Sequence, residues 1–81
     1  MRTSKEVYNQ IKWDPALEQG EFTLVYADRT SGLTEVPFHA FVPDGDIPWH
    51  RIYYIRHGDE IVWDRRTGTD LIDQLASRGP P

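Results

Sequence analysis

The chain has 81 residues, of which 38% are hydrophobic and 27% charged, the composition of one small globular domain and not of a two-domain enzyme with a deeply enclosed active site. It contains no cysteine, which excludes disulfides, thiolate metal centres and Cys-nucleophile chemistry. A formal charge of −4 argues against a coat of basic residues over nucleic acid, and neither a membrane-length apolar run nor an apolar stretch after Met1-Arg2-Thr3-Ser4-Lys5 is present, so the expected setting is cytoplasmic, without a membrane partner.

Thr3 and Glu6 have the spacing of a capping box, which predicts a first helix over about Ser4 to Ile11 with Val7 and Ile11 on one face. Trp13-Asp14-Pro15 ends it, because the residue before proline avoids the α region. Phe22 to Asp28 is rich in β-branched and aromatic residues, Arg29-Thr30-Ser31-Gly32 has turn chemistry, and Leu33 to Val36 follows as a second strand closed by Pro37. Phe38-His39-Ala40-Phe41 reads as one helical turn that places two rings in the core. Pro43-Asp44-Gly45-Asp46 is an acidic, exposed turn.

A second hairpin runs from Trp49 to Arg56, turns at His57-Gly58, and returns from Asp59 to Arg66. Charge selects this register: it sets Arg56 opposite Asp59 and Arg51 opposite Asp64, whereas a Gly58-Asp59 loop sets Arg51 against Arg66. One face then carries His50, Ile52, Tyr54 and Arg56 with Asp59, Ile61, Trp63 and Arg65, and the other carries Trp49, Arg51, Tyr53, Ile55, Glu60, Val62 and Asp64. Beyond Thr67-Gly68, Thr69 is expected to cap a short last helix with Leu71, Ile72 and Leu75 as its apolar stripe. The expected architecture is therefore α+β, an antiparallel sheet of about four strands from two hairpins with an N-terminal helix and a short C-terminal helix. It forms a single domain over residues 1–76 with a flexible tail at 77–81.

The chemistry-bearing residues gather at the hairpin end away from the turn. Trp49-His50-Arg51 brings an indole, an imidazole and a guanidinium together, with Asp64-Arg65-Arg66 across from them. An Arg fork matches two phosphate oxygens and a histidine can donate to a third, so a phosphate-sized anion is the natural ligand. The competing account is a plain cross-strand pair between Arg51 and Asp64. Trp49 and Tyr53 are candidates to stack a base, while Tyr54 and Trp63 are assigned to the core. His39, His50 and His57 lack metal-ligand spacing, so neither a metal nor a cofactor is expected, and no Walker, GxGxxG, GxSxG or HExxH motif occurs.

The run Ile47-Pro48-Trp49-His50-Arg51-Ile52-Tyr53-Tyr54, followed by Gly58-Asp59-Glu60-Ile61-Val62-Trp63-Asp64-Arg65, resembles the RNA cyclic-group end-recognition domains. The opening Thr3 to Val7, Trp13-Asp14-Pro15 and Tyr26-Ala27-Asp28-Arg29 fit the same pattern, which spans about Arg2 to Ile72 and is departed from near Gly68. The resemblance implies contact residues His50, Arg51, Asp64 and Arg65, and a non-catalytic RNA-binding module that recognises RNA 3′ ends carrying a 2′,3′-cyclic phosphate in RNA processing or repair. With Trp49 and Tyr53 added from the residues themselves, that is the expected ligand-binding set, with RNA termini and RNA-processing proteins as partners. Two other classes stay open: a phosphodiesterase that opens the cyclic phosphate through His50, and a protein-interaction adaptor that uses a strand edge or the Phe38/Phe41 segment.

Overall fold

A computed structural model describes residues 1–78. The order is α1 (Ser4–Trp13), β1 (Phe22–Asp28), β2 (Gly32–Pro37), β3 (Ile52–His57), β4 (Glu60–Asp64), β5 (Thr69–Asp70) and α2 (Ile72–Arg78), with single 3₁₀ turns at Gln19–Glu21, Phe38–Ala40 and Trp49–Arg51. All neighbouring strands are antiparallel, in the order β2-β1-β3-β4-β5. The α+β architecture with a helix at each end is as expected; the fifth strand is the two-residue β5.

The capping box forms: Glu6 N–H donates to Thr3 Oγ1 at 3.2 Å, and Thr3 N–H donates to Glu6 Oε1 at 3.1 Å. Helix α1 then buries Val7, Tyr8 and Ile11 against one face of the sheet, where Phe22, Leu24, Ile52, Ile55, Val62, Trp63 and Ile72 complete the core. Full burial of each such side chain contributes about 1.5–3 kcal/mol, which is why a chain this short needs its rings inside. Phe38 and Phe41 enter the core from their 3₁₀ turn, and Phe38 stacks on Tyr8 at 4.7 Å between centroids.

The second hairpin departs from the expected register. His57 pairs with Glu60, so the loop is Gly58-Asp59, and Gly58 has φ +58° at the first loop position, where a II′ turn calls for glycine. The like-charge clash that argued against this loop never arises, because Trp49 to Arg51 wind into a 3₁₀ turn behind Pro48 and Arg51 has no cross-strand neighbour. Two irregularities shift the faces as well. On β3 the partners of Val25 and Tyr26 are Tyr54 and Ile52, so Tyr53 is the extra residue; on β4 Val62 is extra between Ile61 and Trp63. A bulge resets the two-residue alternation. Ile52, Ile55 and Trp63 thereby share the core face, and Tyr54 and Asp64 face each other on the opposite side.

Thr69 belongs to β5 and does not cap the last helix. Leu71 stands at the N-cap, its carbonyl accepting the Leu75 N–H at 2.9 Å, and Asp70 Oδ1 just before it accepts the Ile72 N–H at 3.3 Å, while Ile72 is fully buried and Leu71 and Leu75 pack beside it. Arg2 locks this end to the chain start with two parallel bonds to Asp70, Nε to Oδ2 at 2.9 Å and Nη2 to Oδ1 at 2.8 Å. Helix α2 runs to Arg78, through the 76/77 boundary expected for a tail, and residues 79–81 lie outside the described residues. Among the described residues no helix is long and apolar enough to cross a membrane.

Candidate functional site

Three segments meet at one end of the sheet. Strand β1 finishes at Asp28 beside the start of β3, since Tyr26 pairs with Ile52. The 3₁₀ turn Trp49–Arg51 feeds into β3, and Arg65 leaves β4 next to them, its N–H donating to the Tyr53 carbonyl at 3.0 Å. Between these segments lies an open cleft of about 350 Å³ lined by Ala27, Asp28, Arg29, His50, Arg51, Tyr53 and Arg65. Three guanidinium groups, one imidazole and one carboxylate therefore surround a space of ligand size.

Each charged group is held differently. Arg65 Nη1 donates to the His50 carbonyl, and its guanidinium lies over the Tyr53 ring at 5.1 Å, so one cation is pinned by two contacts. The backbone N–H of Arg51 donates to the Pro48 carbonyl at 3.0 Å, but its guanidinium makes no hydrogen bond and no ion pair among the described residues. Asp28 sits near it, its carboxyl held below the ordinary carboxylate range chiefly by the Thr30 N–H, then by the Thr30 hydroxyl, with the Arg51 charge adding to the effect. Asp28 is therefore ionised at neutral pH. His50 and Arg29 are exposed.

Of the six residues singled out from the sequence, His50, Arg51, Tyr53 and Arg65 line this cleft. Trp49 sits elsewhere: its ring packs against Tyr8 at 5.4 Å and Phe41 at 5.2 Å, and its Nε1 donates to Asp44 Oδ1 at 3.0 Å. Asp64 is buried and faces Arg66 instead of Arg51, with Arg66 Nη2 donating to Asp64 Oδ2 at 3.2 Å and Arg66 N–H donating to Oδ1 at 2.8 Å. Burial pushes the Asp64 carboxyl up, but the bonds from Arg66 outweigh it and leave the group below its usual range. The expected Arg51–Asp64 pair does not form. Asp64 shapes the turn that presents Arg65, since Gly68 N–H donates to the Asp64 carbonyl at 3.0 Å.

Asp28 and Arg29 also line the cleft, and spacing arguments do not single them out, because they lie at the turn of the other hairpin. The signal that pointed at them was the Tyr26-Ala27-Asp28-Arg29 block. The three histidines are dispersed: His39 is exposed on its 3₁₀ turn, and the His57 ring packs on Phe22 at 5.0 Å between centroids. Among the described residues no three His, Cys, Asp or Glu side chains gather as a metal site would need.

A small α+β domain with a cationic cleft at one end of its strands is the class these features define. The chain belongs to the MJ1316 RNA cyclic group end recognition domain family, whose model matches residues 1–65. A similar protein from Archaeoglobus fulgidus, described as a UPF0248 protein, is 33% identical over 67 residues, covering 70% of this chain and 97% of its own. No solved structure matches the chain. The matched span ends at Arg65, so every residue lining the cleft lies inside it.

Proposed function

We propose that the cleft binds the 3′ terminus of an RNA strand through its cyclic phosphate, and that the protein is a binding module for such ends in RNA processing or repair. The observation that carries this reading is Arg51, a guanidinium without hydrogen bond or ion pair among the described residues, set in a cleft with Arg29, Arg65 and His50. A planar fork left unsatisfied by the protein is available to two phosphate oxygens. Arg65, already held by Tyr53 and the His50 carbonyl, supplies a fixed positive charge opposite it. The family's description names RNA cyclic groups, and a 2′,3′-cyclic phosphate is a single negative charge that a site of this size accommodates.

Binding without turnover is the reading the arrangement supports. Acid–base opening of a cyclic phosphate uses one group that takes a proton and another that gives one. Of the residues lining the cleft, His50 alone carries an imidazole, and the Asp28 carboxylate in the same cleft, held below the ordinary range chiefly by the Thr30 N–H, is a weak base. Titration of short RNA oligomers ending in 3′-hydroxyl, 3′-phosphate and 2′,3′-cyclic phosphate is the direct test. The cyclic end should bind tightest, and Arg51→Ala should weaken it at least about tenfold, the value of one charged hydrogen-bonded contact, with the thermal unfolding temperature unchanged. Equal or absent binding to all three ends refutes the reading.

A further inference from the structure

His50 and Arg65 line a second cleft as well. It has a volume of about 360 Å³ and is walled by Met1, Arg2, Thr3, Ser4, Trp49 and Trp63. We infer, on the reading that the first cleft holds a terminal phosphate, that this second cleft seats the nucleobase of the same terminal nucleotide.

The position is the first reason. The two clefts meet at the same pair of residues, joined to each other where Arg65 donates to the His50 carbonyl. In a nucleoside 2′,3′-cyclic phosphate the phosphate and the base lie on opposite faces of one sugar ring. A ribose resting on the His50–Arg65 bridge would send one group to each side. The character of the walls is the second reason. Of the two clefts, Arg29 and Arg51 line only the first, while Met1, the half-buried Trp49 and the buried Trp63 line only the second, so free charge lies on one side and apolar surface on the other, the division that a nucleotide itself shows. Single-stranded recognition commonly combines these two kinds of surface.

Both indole N–H groups, the Ser4 hydroxyl and the Arg2 guanidinium at the second cleft are already in use, and the exposed His50 imidazole sits at its border with the first cleft. Trp63 Nε1 donates to the Arg2 carbonyl at 3.2 Å, Ser4 Oγ donates to the Trp49 carbonyl at 2.8 Å, and Trp49 Nε1 is taken by Asp44. The Arg2 guanidinium is committed to Asp70. Away from His50 an occupant is therefore held by apolar contact and not by reading of its edge, so the seat accepts purines and pyrimidines alike.

Nuclear magnetic resonance on the intact protein tests this without any substitution. The probes are uridine 2′,3′-cyclic phosphate, adenosine 2′,3′-cyclic phosphate and the abasic ribose 2′,3′-cyclic phosphate, and the signals are the indole N–H of Trp49 and Trp63, with the outlying, exposed Trp13 as reference, and the backbone amides of Arg51 and Arg65. Both nucleotides should move all four signals and leave Trp13 in place. The abasic ligand should move only the two arginine amides and bind about tenfold more weakly, the worth of one stacked base. Nucleotides that shift the arginines but leave both indoles where the abasic ligand leaves them overturn the base seat alone. If no ligand moves the arginine amides, the phosphate reading falls instead.

Discussion

Arg51 and Asp28 define the electrostatics of the cleft between them. A carboxylate facing a bound anion is unfavourable, and more so for two negative charges than for one, since the Coulomb energy scales with the ligand's charge. Asp28 is kept ionised by Thr30 and cannot escape by taking up a proton near neutral pH. Replacing it with asparagine retains the acceptor for the Thr30 N–H and removes the charge. Asp28→Asn should therefore raise affinity for every charged end, by about threefold for the cyclic phosphate and by more for the dianionic 3′-phosphate. Fluorescence anisotropy with both oligomers checks the ordering. Equal gains for the two ends would show that Asp28 does not sense ligand charge.

At the scale of elements, what was legible in the sequence was local. The capping box, the first hairpin and the Phe38–Phe41 turn are each fixed by neighbours within a few residues, and each stands where the sequence places it. The second hairpin differs on two counts: the charge argument for its loop counts Arg51 in a ladder that a 3₁₀ turn removes it from, and period-two alternation presumes an unbroken ladder, whereas the extra residues Tyr53 and Val62 carry no mark in composition. The same reasoning sets His50, Arg51 and Arg65 near one another, as they are around the cleft, but pairs Arg51 with Asp64, since only the fold reveals that Arg66 reaches that carboxylate first. The Arg2–Asp70 clamp was equally invisible, spanning 68 positions. Its strength is open to measurement. The Arg2 side chain lowers the Asp70 carboxyl below its ordinary value, outweighing the upward push of burial. A depressed carboxyl contributes stability that is present above its unfolded pKa, about 3.9, and is lost as pH falls toward the folded value. Asp70→Asn should cost about 1 kcal/mol at pH 7, a moderate figure for a bidentate pair that is partly exposed. The gap between the two proteins in urea unfolding should narrow from pH 7 to an acid pH below the folded value, where Asp70 is protonated in both states. Parallel curves at both pH values would mean the clamp contributes nothing.

The whole molecule carries a formal charge of −4, yet three of its nine Lys and Arg residues line a single small cleft. Such a distribution attracts an anion at one point and repels a polyanion elsewhere, which favours the end of a strand over its interior. The consequence appears in the salt dependence of binding. A protein that tracks single-stranded backbone releases counterions in proportion to the phosphates it neutralises, with a slope of log K against log salt of about −0.7 per phosphate. A site that takes one terminal phosphate should give a slope of about −1 or shallower, and lengthening the oligomer on its 5′ side from about 4 to about 12 nucleotides should leave both slope and affinity unchanged. Affinity that climbs with length, with a slope near −3 or steeper, would place the RNA along an extended surface and remove the terminus as what is recognised. Length is the sharper variable of the two, because every added phosphate must then approach a surface whose remaining charge is predominantly acidic.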